Sequence, residues 1–126
     1  DRVRILGYTT RVPEWMAMSD LIVTKPGGIT VTEALAMDLP MLLYRPIPGQ
    51  EEGNARFVVE TGAAYLAYDV RTAERFIDSV VQSPSELHRM RSRVQQHHVR
   101  GAADRIAVAL HKLARGEKIV DTALQV

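Results

Sequence analysis

"LIVTKPGGITVTEALA", residues 21–36, decides how this chain folds. Residues 21–24 are an apolar, partly β-branched run of the kind that forms a short strand. From Thr30 onward Val31, Ala34 and Leu35 recur at the spacing that lines one face of a helix, so the segment predicts a helix over 30–37. Pro26, Gly27 and Gly28 stand at the joint. A strand that passes through a tight joint into a helix is the opening half of a parallel crossover.

The same alternation extends in both directions. Apolar runs predict strands over residues 3–8, 21–24, 41–44 and 64–67, with helical periodicity between them. Pro13 suits the first turn of a short helix through Met18, and a further helix spans about 50–61, closed by Gly62 at a position that wants positive φ. Thr72 is read as the cap of a helix to about Gln82. "SPSE" starts the next, with Pro84 near its first turn and its end near His97. A last helix covers about 101–113 and carries Ile106, Val108, Leu110 and Leu113. The fold class is therefore α/β, a Rossmann-like parallel sheet flanked by helices. Residues 1–115 make one unit and 116–126 a tail.

Composition narrows the function. The chain has 126 residues, 46% hydrophobic and 25% charged, so it can bury one core and belongs with globular proteins. Sixteen Lys and Arg against fifteen Asp and Glu leave a charge of +1, so no overall field calls for nucleic acid. With no Cys there is neither a disulfide framework nor a thiolate metal site. The sequence enters "VRILGY" without a polar lead-in, which gives the expectation of a piece cut from a longer protein.

In an open parallel sheet, ligands bind outside the carboxyl ends of the strands, where a loop delivers a helix N-terminus. "KPGGIT" lies at such an edge. Glycines let a ligand approach the backbone, and the free N–H groups of a helix start attract an anion such as phosphate. A tight turn alone would also explain two glycines. Thr30 and Glu33 have the spacing of a capping box, which spacing alone puts first, while Glu33, one turn inside a phosphate-binding helix, could also accept hydrogen bonds from a ribose diol. After the next strand, "PGQEEGNARF" offers Gln50, Glu51 and Asn54 on one helical turn. Their amide and carboxylate groups suit sugar hydroxyls, although acidic residues also simply favour a helix start.

Taken together, "DLIVTKPGGITVTEALAMDLPMLLYRPIPGQEEGNARFVVETGAA" resembles the C-terminal, nucleotide-sugar-binding domain of GT-B glycosyltransferases. The likeness is nearest to bacterial processive diacylglycerol glucosyltransferases and plant monogalactosyldiacylglycerol synthases, and more distant to the N-acetylglucosaminyltransferase that completes lipid II. It covers residues 3 to about 113. The resemblance implies that Gly27, Gly28, Ile29 and Thr30 surround a donor diphosphate, with Lys25 near it. It also implies that Glu33 holds the ribose, that Tyr8 and Thr9 flank the uracil, and that Gln50, Glu51 and Asn54 face the hexose. The implied reaction moves glucose or galactose from the UDP-sugar to diacylglycerol or a glycosyl-diacylglycerol, with inversion and without cofactor or metal.

The resemblance further implies that the acceptor-binding N-terminal domain and the first strand and helix of this domain lie outside the sequence. The general base lies there too, so no catalytic base is nominated. A homodimer of this chain would then be an artefact of truncation, and the whole protein would sit in the cytoplasm, peripheral at the inner face of the membrane. Three other functions remain open: a lipid II-type N-acetylglucosaminyltransferase, a UDP-N-acetylglucosamine 2-epimerase on the same architecture, and a non-enzymatic phosphate-binding α/β module. His97 and His98 point about 100° apart on a helix, and His88 and His111 lack acidic or cysteine partners, so no zinc site is expected. Arg89, Arg91, Arg93 and Arg100 are read as a solvated basic face, with contact to anionic lipid headgroups as the alternative. Trp15 and Met16 are read as core.

Overall fold

The computed structural model describes residues 2–97 and 101–117. Six helices and three strands alternate along it: α1 (Val12–Met18), β1 (Ile22–Thr24), α2 (Gly28–Ala36), β2 (Met41–Tyr44), α3 (Gln50–Glu60), β3 (Ala64–Ala67), α4 (Val70–Gln82), α5 (Ser85–Gln96) and α6 (Ala102–Ala114). The strands form one parallel sheet in the order β1-β2-β3. Met41 is paired with Ile22 on one side and Ala64 on the other.

Strand alternation sorts the core into two layers. Met41 and Leu43 face one way and, with Ala64, are covered by Val31 and Ala34 of α2, Ala55 and Val58 of α3, Met16 of α1 and Val94 of α5. Leu42 and Ala67 face the other way, under Ala73, Phe76 and Val80 of α4 and Met90 of α5. Having both faces covered is why "MLL" reads as an unbroken apolar run. On this second face the rings of Tyr65 and Phe76 stack, their centroids 4.4 Å apart.

Three expectations need correction. Residues 3–8 form no strand, and Val3, Ile5 and Tyr8 are exposed. Apolar alternation supplies strand propensity, but a strand exists only as half of a ladder, and among the described residues this segment has no partner. Within it the Arg4 guanidinium lies 5.8 Å from the centroid of the Trp15 ring. Next, the cap of α4 is Asp69 rather than Thr72. The Thr72 N–H and hydroxyl each donate to the Asp69 carboxylate at 2.8 Å, so the helix starts at Val70. Third, Thr30 and Glu33 make no capping box. Gly27 is the N-cap, the Val31 N–H donates to the Gly27 carbonyl at 2.9 Å, and the helix begins two residues before Thr30. Nothing in Gly28-Ile29 opposes helical dihedrals, and the end of β1 at Thr24 leaves only three residues for the joint.

The turn after α3 is as expected: Gly62 has φ +77°, and its N–H donates to the Val59 carbonyl at 2.9 Å. Residues 102–114 are helical as expected, yet no residue of α6 is buried.

Candidate functional site

Because the strands are parallel, the segments that follow β1 and β2 emerge at the same edge of the sheet. After β1 the chain runs Lys25-Pro26-Gly27 and enters α2. Pro26 is fully buried. The Gly27 N–H turns back to the Lys25 carbonyl at 2.9 Å. The N–H groups of Gly28, Ile29 and Thr30 have no acceptor among the described residues, as the first turn of a helix requires. Of the expected diphosphate cradle, then, Gly28, Ile29 and Thr30 present open donors at the positive end of the helix dipole. The Gly27 N–H is occupied.

The two glycines are not explained by the turn. Gly27 has φ −65°, and Gly28 is absent from the positive-φ residues. A Cβ on Gly27 would meet nothing within 4 Å, and one on Gly28 would lie at ordinary contact distance, 3.7 Å, from Asn54 Nδ2. The fold would accept alanine at both. The missing side chains leave open space beside Gly27 and the Asn54 amide facing Gly28.

The segment after β2 builds the other wall. Arg45 continues the ladder, its N–H donating to the Ala67 carbonyl at 2.9 Å, but with φ +44°. Glu51 folds back so that one carboxylate oxygen accepts from the Ile47 N–H at 2.7 Å, and Glu52 accepts from the Gly49 N–H at 3.3 Å. Both carboxylates stabilise the start of α3 at its positive end. Asn54, one turn further on, reaches across to the joint, where its Nδ2 donates to the Pro26 carbonyl at 3.0 Å. Gln50 is exposed at the helix start.

The expected site residues therefore divide. Asn54 and the glycine joint are in contact, Glu51 is tied to its own loop, and Glu33 is exposed on the second turn of α2 with no side-chain partner among the described residues. Lys25 is exposed beside the joint. Tyr8 is 96% exposed and Thr9 accepts from the Arg11 N–H at 3.1 Å; neither is hydrogen-bonded to the joint or to α3. Sequence reading gave no sign of the positive φ at Arg45. A residue before proline is expected to be extended, so its left-handed backbone had no local signal except the charge itself.

The other candidates group elsewhere. Among the described residues no cluster of His, Cys, Asp or Glu could hold a metal. His98 and Arg100 lie outside the described residues. The arginines of α5 do not make one basic face: Arg89 pairs with Glu86 at 2.6 Å and shares a cleft with Arg93, whereas Arg91 lies on the opposite flank, 3.6 Å from Asp20. A second cleft of about 460 Å³, lined by Leu21, Ile77, Val80, Leu87 and Arg91, lies at the amino edge of the sheet, away from the joint. Met16 is buried as expected, and Trp15 is half-buried.

A parallel sheet with a glycine joint at its carboxyl edge is shared by many nucleotide-binding proteins. The sequence narrows the class: residues 1–97 match the family described as "Glycosyl transferases group 1", and the chain belongs to that family. Its fold is consistent with the C-terminal domain of a GT-B glycosyltransferase.

Among its relatives, the chain is 37% identical over 104 residues to "Processive diacylglycerol beta-glucosyltransferase" of Bacillus subtilis (strain 168), a match covering 82% of this chain and 27% of the relative. It is 40% identical over 106 residues to the protein of the same name in Staphylococcus aureus (strain JH9), covering 84% and 27%. The chain thus spans about a quarter of the length of these relatives.

Proposed function

We propose that this chain is the donor-binding part of an enzyme that transfers a hexose from a UDP-sugar to diacylglycerol or a glycosyl-diacylglycerol with inversion. One observation carries the reading: Gly27 and Gly28 are glycines that neither backbone angle nor packing demands, at the start of a helix whose first three N–H groups are open, at the carboxyl edge of a parallel sheet. A diphosphate fits that arrangement. Its oxygens need donors close to the backbone, and a side chain at either glycine would stand in the way. The names of the relatives support a glucosyl donor and a lipid acceptor.

In this reading the N–H groups of Gly28, Ile29 and Thr30, with Lys25, stabilise the negative charge that develops on the UDP leaving group as the glycosidic bond breaks. Glu33 accepts from the ribose hydroxyls, Gln50 and the free oxygen of Glu51 meet the hexose, and Tyr8 and Thr9 flank the uracil. The acceptor hydroxyl and the base that deprotonates it belong to the rest of the protein. No described helix is long and apolar enough to cross a membrane. In this reading the whole protein reaches its lipid acceptor by peripheral contact at the inner face of the cell membrane.

The test is a calorimetric titration with UDP and with ADP, on this chain and on the full-length protein, repeated with Glu33→Ala. Uridine-selective binding that weakens in the variant is the expected result. Equal affinity for both nucleotides, indifferent to Glu33, would leave a general phosphate-binding module and sink the transferase reading. Incubation of the full-length protein with diacylglycerol and either UDP-glucose or UDP-galactose then identifies the sugar by the glycolipid formed.

A further inference from the structure

We propose that Asn54 is a positioning residue for the phosphate end of the site: it holds the peptide plane that aims the open N–H groups of α2. The inference rests on the donor-site reading above and departs from the sequence-based expectation that Asn54 is simply a ligand of the hexose.

The argument starts from the flexibility of the joint. A peptide unit followed by two glycines can rotate with little resistance, so Gly27-Gly28 alone would not present donors in a fixed direction. In the structure the Pro26–Gly27 peptide unit is held at both ends. Its N–H donates to the Lys25 carbonyl at 2.9 Å, and its C=O accepts from Asn54 Nδ2 at 3.0 Å. The next carbonyl, of Gly27, receives the Val31 N–H at 2.9 Å and starts the helix. Of these three bonds only the one from Asn54 comes from another element, 28 residues away in the chain.

Asn54 itself is well placed for the task. It is half-buried, it follows directly before the fully buried Ala55, and α3 is packed on the sheet through Ala55 and Val58. The remaining N–H and the Oδ1 of its amide stay available for a ligand hydroxyl, so positioning and sugar contact are separable roles of one side chain.

The separating experiment uses full-length protein with Asn54→Ala and Asn54→Asp, titrated with UDP and with UDP-glucose. Positioning predicts that Asn54→Ala weakens UDP itself about tenfold, and UDP-glucose by at least as much. Asn54→Asp should bind both poorly at neutral pH and recover as pH falls, because the protonated acid regains a donor for the Pro26 carbonyl; the native protein shows no such recovery. A loss confined to UDP-glucose, or none for either ligand, overturns the proposal.

A measurement on the unliganded protein keeps the two readings distinct. In Asn54→Ala the Val31 amide should exchange hydrogen about tenfold faster while the amides of β2 are unchanged. Unchanged exchange at Val31 overturns the positioning role whatever the nucleotide does. Accelerated exchange in a protein that binds no UDP would leave Asn54 holding the joint and remove the donor-site reading instead.

Discussion

Gly62 and Gly28 stand at opposite ends of neighbouring helices and are glycines for opposite reasons. Gly62 follows α3 at φ +77°, with Arg93 Cγ 3.2 Å from where its Cβ would stand. Its identity is dictated by the chain's own geometry. Gly28 opens α2 without positive φ and with only ordinary contact at its Cβ position. Neither its backbone angle nor its packing dictates its identity. Glycine is thus required by the chain's own geometry at the amino edge of the sheet but not at the carboxyl edge, where the proposed diphosphate site lies.

The comparison can be broken by substitution. Gly62→Ala should destabilise by about 2 kcal/mol, from the left-handed backbone and the crowding of Arg93 together, read as a lowered midpoint in urea with unchanged slope. Nucleotide affinity of the protein that remains folded should be unaltered. Gly28→Ala should do the reverse, weakening UDP binding about tenfold, or about 1.4 kcal/mol, while thermal stability holds or rises slightly. Equal effects of the two on both readouts would dissolve the distinction.

Arg45 sharpens the contrast from the other side. It occupies positive φ without being glycine, directly before Pro46, so Arg45→Gly should stabilise by about 0.5 kcal/mol once glycine's own entropy cost is set against the relief. A destabilised variant would mean that the arginine side chain contributes contacts that outweigh the backbone.

The smallest effect concerns pH. The Thr72 backbone N–H, and after it the Thr72 hydroxyl, hold the Asp69 carboxyl below its ordinary value of 3.8. A depressed folded value means that this stabilisation is present above pH 3.8 and is lost as pH falls through the lower folded value. Asp69→Asn keeps a capping oxygen but does not titrate, so its acid denaturation curve should lose that component. An unchanged curve would show that the cap's charge contributes nothing.

What could be read from sequence follows one rule. Elements set by local pattern were legible: the three paired strands, the helices between them and the left-handed Gly62 all follow from periodicity and turn chemistry within a few residues. Residues 3–8 were not, since their alternation is local but a ladder partner is not. The sequence points to Thr72 as readily as to Asp69, because Thr72, three residues on, is also a capping type; the two cooperate, with Thr72 as donor. At the site, the glycine joint stood out in the sequence. The Asn54–Pro26 bond was invisible because it spans 28 residues, and the backbone of Arg45 contradicts the usual preference before proline.

The last helix carries a different consequence. α6 has 13 residues, none buried, and Ile106, Val108, Leu110 and Leu113 are each more than half exposed. A helix of that length without tertiary support is marginal in water, so α6 and the sheet need not melt together. Heating followed by far-ultraviolet circular dichroism should lose helical signal gradually before the cooperative transition of the sheet. A single melting temperature would then describe the core and not the whole chain.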